Sequence, residues 1–347
     1  MSQLFICRDI YVDPVLDEVA ATLAAAGHHV VRGPKVTPGV KMEFAPEAYP
    51  DYFAGSEIIV VTSRNLCPRA VMAAAPRLRA VIAPTIGVDA IDLAAADDLG
   101  VIVGHGAMPE NFLSMGEATV MLITTLFYNL HASERVLREG APRPETMHAR
   151  MVLGSTIGFV GFGRIARAAA ERLQGWGARL LVHDPFLTAA DVPAEVTLVD
   201  LPTLMRESDL VSLHVTLSKD THHLVGETEI RLMKPGSFLV NTARGGVVDD
   251  RALTRAITDG HLAGAALDTF EDEPLPKDSP LRGLANVILT PHMVGHTREI
   301  LTAMPKVLLT NIERVLAGQA PLYTKNPATL PRWHERLARL AAIGGTA

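Results

Sequence analysis

The sequence predicts an α/β protein of two doubly wound domains, each built on a parallel sheet. Three observations carry this expectation. Short apolar runs bounded by glycine or turn residues recur along the chain and read as buried parallel strands. Segments rich in helix formers separate them, so strands and helices alternate. At 347 residues, with 48% hydrophobic residues, the chain exceeds one typical domain and carries enough apolar material for two cores. Aromatics are only 5%, so those cores are aliphatic and rich in alanine.

Residues 4–7 read as the first strand. Residues 14–26 read as a helix, with Pro14 in its first turn and Gly27 just past its end. A short strand begins at Val30 and Val31. The stretch 33–55 is proline-rich and irregular and carries Tyr49, Tyr52 and Phe53. It reads either as a loop over a ligand or as a surface connection. Strands at 58–61 and 80–83 flank a helix at 68–75, and a helix at 91–99 leads into a strand at 101–103. Residues 1–104 thus make a small α/β domain.

From about residue 111 to residue 137 the sequence predicts one long helix, with Met115, Val120, Leu122, Ile123, Leu126 and Phe127. It is apolar on more than one face, which implies burial between domains or at a subunit contact. Residues 140–144 break it. Six strands follow, at 156–160, 179–183, 210–214, 238–241, 265–267 and 287–289, with helices between them. No repeat of 20–50 residues is visible. A helix at 297–317 is expected to return to the first domain. The domains are then 1–104 plus 297–347, discontinuous, and 105–296, inserted. The tail at 331–340 spaces Leu330, Trp333, Leu337 and Leu340 as an amphipathic packing helix.

The inserted domain is organised around residues 156–166, TIGFVGFGRIA. An apolar strand runs into G-x-G-x-x-A, which opens a helix. Gly161 allows the tight turn, Gly163 lets a pyrophosphate approach the backbone, and Ala166 lets helix and strand pack closely. Arg164 and Ile165 begin the helix, whose first amides face an anion. The next strand ends at Asp184, about 20 residues on, where an acid bonds the adenine ribose of NAD and repels the 2′-phosphate of NADP. Strand, turn, helix and acid in register predict a Rossmann domain that binds NAD. The smaller domain is expected to be flavodoxin-like.

The formal net charge is −6, and no basic block stands out, so neither nucleic acid nor an anionic membrane is an expected partner. Cys7 and Cys67 are the only cysteines, too few for a disulfide framework or a structural zinc site, and no metal is expected. No signal peptide and no apolar run long enough to span a bilayer is visible. A cytoplasmic protein is expected.

Three polar residues fall just past strand ends of the inserted domain, where open α/β sheets bind ligands. They are Arg244, Glu273 and His292. Oxidising an alcohol with NAD requires removal of the hydroxyl proton as hydride leaves. A histidine does this near neutral pH, a carboxylate on its other ring nitrogen fixes the tautomer, and an arginine binds a carboxylate or carbonyl oxygen through a planar fork. Each residue also has a plainer explanation. Arg244 can salt-bridge Asp249 or Asp250, Glu273 sits in an acidic loop, and His292 is one of 13 histidines. Their shared position after successive strands favours the chemical role.

On these motifs the chain resembles the D-isomer-specific 2-hydroxyacid dehydrogenases over nearly its whole length. The pieces are GFGRIA at 161–166, HDP at 183–185, LHV at 213–215, LVNTARGGVVD at 239–249, AALDTFEDEPL at 265–275 and LTPH at 289–292. The resemblance implies a member similar to phosphoglycerate dehydrogenases or hydroxypyruvate reductases, acting as a 2-oxoacid reductase and as a homodimer. It implies that Arg244, Glu273 and His292 are the catalytic set. It implies cofactor contacts from Gly161, Gly163, Arg164, Ile165, Asp184, His214, Thr221, Thr242, Ala243, Asp268 and Gly295. Substrate contacts are implied for Ile86 and Gly87, at the start of a loop whose amides hold a carboxylate, and for Arg64, Asn111, Arg244 and His292. Asn111 stands with Ser114 and Glu117 as in the family pattern. Thr216 replaces a common proline. Thr62 and Ile86 stand where phosphoglycerate dehydrogenases place arginine and threonine, which counts against phosphoglycerate as substrate. Glu273 stands where the formate branch carries glutamine, which counts against formate. The resemblance also takes in transcriptional corepressors that keep the triad, so an NAD(H)-sensing binding protein is the alternative.

Overall fold

The computed structural model describes residues 1–344. The chain divides into two compact units, Met1–Asn111 with the segment from Thr297 onward, and Phe112–His296. Residues 105–111, assigned from the sequence to the inserted domain, go with the first unit.

In the first unit the strands are β1 (Gln3–Ile6), β2 (His29–Arg32), β3 (Ser56–Val60), β4 (Ala80–Ile82) and β5 (Ile102–Gly104). All pair in parallel, in the order β2-β1-β3-β4-β5. This is the flavodoxin-like order. Every residue of β3 is buried, as expected for a parallel strand covered by helices on both faces. The returning helix Arg298–Leu316 buries Ile300, Met304, Leu308, Ile312 and Val315 beside the helix Asp13–Ala25. In the last helix Trp333 is fully buried in the core of this unit, and its indole N–H donates to the Arg79 carbonyl at 2.9 Å. The stretch 33–55 runs along the surface but sends aromatic side chains into the core of this unit. Phe44 and Phe53 are buried, and the Phe53 ring meets Phe5 of β1 edge-on at 4.8 Å and Phe44 at 5.2 Å. Tyr49 and Tyr52 are partly buried and pack against this core, and fully buried rings such as Phe53 contribute about 1.5–3 kcal/mol each.

The second unit has seven strands, not six. They are β6 (Thr156–Val160), β7 (Arg179–His183), β8 (Val196–Leu198), β9 (Leu210–Leu213), β10 (Ser237–Asn241), β11 (Leu262–Leu267) and β12 (Val287–Leu289). Their order is β12-β11-β10-β9-β6-β7-β8, all parallel. The missed strand, β8, is three residues at the sheet edge and buries only Val196, so it lacks the apolar run that marks its neighbours. Strand order reverses between β6 and β9, the switch point at whose carboxyl ends open sheets bind ligands.

The long helix predicted over 111–137 is two helices, Pro109–Phe127 and Leu130–Arg138. Asn129 between them takes a left-handed φ of +48°, and its side-chain amide donates to the His148 carbonyl at 2.8 Å. Asparagine tolerates this conformation better than other non-glycine residues, so one residue ends a helix that propensity alone would extend. Among the described residues no helix is long and apolar enough to cross a membrane. Cys7 and Cys67 are both free and buried, and burial pushes each thiol up to about 12.

Candidate active site

The turn after β6 is shaped by contact. Gly161 has φ +86°, and a Cβ there would lie 2.8 Å from the His214 carbonyl oxygen at the end of β9. Gly163 caps the helix Arg164–Leu173, and a Cβ on it would have no heavy atom within 4 Å. The first amides of that helix therefore open onto free space, which fits a pyrophosphate. Ala166 is fully buried. A Cβ added to Gly116 would sit 2.8 Å from that of Ala168, so small residues bring two helices together. The Arg164 guanidinium lies over the Phe112 ring at 5.2 Å. At the end of β7, Asp184 accepts the Phe162 amide at 2.9 Å and the Phe186 amide at 3.1 Å. Two donors thus fix the carboxylate beside the glycine turn.

Past β9, desolvation pushes the His214 imidazole down to about 3, so it is neutral at physiological pH, with Nε2 on the Ser212 hydroxyl at 2.9 Å. The Thr221 hydroxyl is committed within its own turn. It donates to the Thr216 carbonyl at 2.6 Å and accepts the Ser218 amide at 2.7 Å. Past β10, Thr242 is buried and its hydroxyl has no protein partner, a polar atom of the kind a bound dinucleotide would satisfy.

The turn 241–244 is built by Asn241, a residue the sequence argument did not single out. Its side chain is buried, accepts the Ala243 amide at 3.0 Å and donates to the Arg244 carbonyl at 2.9 Å. The next residue, Gly245, touches the neighbouring turn, since a Cβ there would fall 1.8 Å from the carbonyl carbon of Phe270. Three residues beyond Phe270 comes Glu273. One of its oxygens accepts the Phe270 amide at 3.1 Å, and the other takes Nδ1 of His292 at 2.9 Å. Burial works to raise the Glu273 carboxyl. The hydrogen bond and charge of His292, the Phe270 amide and the Arg244 guanidinium outweigh it and hold the group below the usual carboxylate range. Arg244, Glu273 and His292 thus form one electrostatically linked cluster within one unit.

His292 sits in a loop with φ +55°. The buried Asp268 carboxylate organises that loop, accepting the Thr290 hydroxyl at 2.7 Å, the Met293 amide at 2.9 Å and the Val294 amide at 3.2 Å. Its visible partners are therefore protein donors, set 22–26 residues away along the chain, a separation that no local pattern reveals. Gly295 has a packing reason of its own. Its carbonyl accepts the Ser114 hydroxyl at 2.8 Å, and a Cβ would lie 1.9 Å from the Met115 sulfur. Glu117 pairs with Arg172 at 2.9 Å.

The remaining candidate residues named from the sequence lie in the first unit. The Thr85 hydroxyl bonds the Gly87 carbonyl at 3.4 Å, in the loop after β4 that carries Ile86. The Asn111 amide donates to the Gly106 carbonyl. Arg64 reaches Asp9 at 3.2 Å and covers the Tyr11 ring at 4.6 Å. Asp9 is buried and also accepts the Thr62 hydroxyl at 2.7 Å. Burial opposes ionisation of Asp9, but Thr62, the Tyr11 and Val12 amides and Arg64 hold its carboxyl below the ordinary value.

Residues 120–294 match the NAD binding domain of the D-isomer specific 2-hydroxyacid dehydrogenases. The chain is 40% identical over 272 residues to an (S)-sulfolactate dehydrogenase of Chromohalobacter salexigens, covering 77% of this chain and 87% of that one. It is 38% identical over 259 residues to a glyoxylate reductase of Thermofilum pendens, covering 72% and 76%. The crystal structure of the TT0316 protein of Thermus thermophilus superposes with a TM-score of 0.80 at 30% identity, covering 93% of this chain and 99% of that one. The chain thus belongs to the D-isomer specific 2-hydroxyacid dehydrogenases, and it is an NAD-dependent oxidoreductase acting on the CH–OH group of 2-hydroxyacids.

Proposed function

We propose that the protein reduces a short 2-oxoacid, with Arg244, Glu273 and His292 as its catalytic residues. The 2.9 Å bond between His292 Nδ1 and Glu273 is the observation that carries this reading. Because Nδ1 faces the carboxylate, Nε2 is the atom left to exchange a proton with substrate. When bound, the nicotinamide cofactor would supply the hydride for reduction and take it up in oxidation. In reduction the imidazolium gives its Nε2 proton to the substrate carbonyl oxygen. In oxidation the neutral ring takes the hydroxyl proton. Glu273, ionised, steadies the imidazolium, and the Arg244 fork orients the oxoacid. The pyrophosphate is assigned to the helix that begins at Arg164 and Ile165, and the adenine ribose to Asp184. Thr242, Ala243, His214, Thr221, Asp268 and Gly295 are assigned to the cofactor or to the loops that shape its site. Ile86, Gly87, Arg64 and Asn111 are assigned to the substrate.

Glyoxylate and sulfolactate, the substrates in the relatives' names, mark the size class to test. The test is NADH oxidation with a panel of short 2-oxoacids by the native chain and by His292→Ala. Reduction should lose kcat/KM as pH rises, oxidation should gain it, and the variant should lose that dependence while still binding NADH. Near-normal turnover in the variant with the pH limb intact would assign the proton to another group. No turnover on any oxoacid by the native chain would favour an NAD(H)-sensing role.

We also propose a homodimer built on the helices Pro109–Phe127 and Leu130–Arg138. Leu113, Met121, Tyr128, Leu130 and Leu137 stand exposed there, more apolar surface than a lone helix pair usually leaves in water. A monomeric mass by light scattering at micromolar concentration would overturn this. The two buried free thiols suit a reducing compartment, and the cytoplasm is proposed on that ground.

A further inference from the structure

His222, His223 and Glu271 form a cluster that the reaction does not use. Their donor atoms all lie within 4.8 Å of one another. The two imidazoles stack at 4.0 Å between centroids with 26° between planes, and His223 Nε2 contacts one Glu271 oxygen. Two separate turns supply the group. His223 has φ +50°, and its amide donates to the Gly246 carbonyl at 2.8 Å, tying the turn 221–224 to the turn after Arg244. The second Glu271 oxygen accepts the Asp250 amide at 3.3 Å, while the Glu271 amide donates to Asp250. The carboxylate is therefore oriented before any ligand arrives. Asp249 and Asp272 are sequence neighbours of this pair and add negative charge.

We infer that His222, His223 and Glu271 bind a divalent transition-metal ion of the zinc class. Two imidazole nitrogens and one carboxylate oxygen make a donor set that zinc, cobalt and nickel accept and that calcium and magnesium, which prefer oxygen, do not. A tetrahedral ion with donors at about 2.0–2.2 Å would hold them about 3.3 Å apart. From the present spacing the donors must draw closer, by side-chain rotation at an exposed surface. His222 and Glu271 are exposed and His223 partly so, which leaves a fourth position for water. The ion would replace the direct His223–Glu271 contact and join the turn 221–224 to the turn 270–271. Protons compete for the same imidazoles, so affinity falls on acidification.

The test uses the full-length chain without an affinity tag, stripped with a chelator, titrated with zinc by calorimetry and with cobalt by visible absorbance. One equivalent should bind, with the intense absorption of a tetrahedral cobalt site. His222→Ala and Glu271→Gln should each weaken zinc by at least about tenfold. The thermal midpoint should rise with zinc in the native chain and stay fixed in the double variant. His222 is exposed, so its variant keeps the fold, and Glu271→Asp should recover part of the affinity. No binding beyond that of the double variant, or binding undiminished in both single variants, would overturn the assignment. So would an ion pair only, in which Glu271→Gln lowers the zinc-free midpoint and zinc raises none.

Discussion

Replacing Glu273 by glutamine keeps the volume of the side chain and removes one charge, at a cost set by the geometry around it. The carboxylate serves two donors, one with each oxygen: the Phe270 amide at 3.1 Å and His292 Nδ1 at 2.9 Å. Glutamine has only one acceptor oxygen. If that oxygen faces His292, its NH2 abuts the Phe270 N–H. If it faces Phe270, its NH2 donates to Nδ1 and forces the neutral ring to carry its proton on Nε2, so the ring cannot act as a base. Either choice costs about 1–2 kcal/mol for an unmade bond. The lost charge adds to this. Opposite unit charges about 4 Å apart attract by about 1 kcal/mol in water and about 4 kcal/mol at an effective dielectric of about 20. The two side chains are 47% and 34% exposed, which places the pair toward the aqueous end, at about 1–2 kcal/mol. The sum, about 2–4 kcal/mol, corresponds to a fall in kcat/KM centred near a hundredfold. With cofactor affinity unchanged, both directions should fall by the same factor at a given pH, because the variant cannot alter the overall equilibrium. Without the carboxylate charge the imidazolium is less favoured, so the pH limbs in both directions should move to lower pH. The assay is NADH absorbance against pH in both directions, with the NADH dissociation constant measured separately by fluorescence. A variant within about threefold of the native chain, with unmoved limbs, would refute the reasoning.

Three further outcomes are expected from the site and its surroundings. Asp184→Ala removes the charge that two amides hold beside the glycine turn, so the preference for NAD over NADP should narrow; an unchanged ratio, or a native preference for NADPH, counts against the assignment. Arg244→Lys keeps the charge and loses the fork, so KM for the oxoacid should rise and kcat fall with NADH affinity nearly constant, and unaltered turnover would make Arg244 a structural residue. Asp9 bears on stability. Its carboxyl is held below its ordinary value, so the ionised form contributes stability that is fully present above the ordinary aspartate value of about 4 and is lost as pH falls through the lower folded one. Asp9→Asn should cost about 1.5–3 kcal/mol at neutral pH and flatten that acid limb, as read by urea unfolding at several pH values; an acid limb of native steepness would remove Asp9 from the account.

Local order made much of the fold legible. The run from Thr156 to Ala166 is strand, turn and helix in one stretch, and each of its glycines has a spatial reason, a close approach at Gly158 and Gly161 and open space at Gly163. Arg244, Glu273 and His292 were legible as candidates because each follows a strand and all strands of a parallel sheet end on one side. What the sequence hid was set by distance or by single residues. Asn129 ends a helix through its own backbone angle, against helix-forming neighbours on both sides. Val196–Leu198 is too short to carry a pattern. The core role of Phe53 was not legible because its partner, Phe5, lies far back in the chain. The bond from Thr62 to Asp9 likewise spans 53 residues, so the environment of Arg64 was invisible without the fold. Asn241 was passed over because its work is done on its own turn, and its side chain gives no chemical signature.

The contact at Gly245 has a mechanical consequence. The turn that carries Arg244 and the turn that carries Glu273 meet main chain to main chain, with no side chain between them to act as a gasket. Repacking the core below leaves that joint's clearance unchanged, because no rotamer adjusts it. Any residue other than glycine at 245 works as a shim and drives the two turns apart, while the buried strands β10 and β11 keep their hydrogen-bonded register beneath. The spacing of the turns that carry Arg244 and Glu273 is thus machined into the backbone, and a single methyl group is enough to put it out of tolerance.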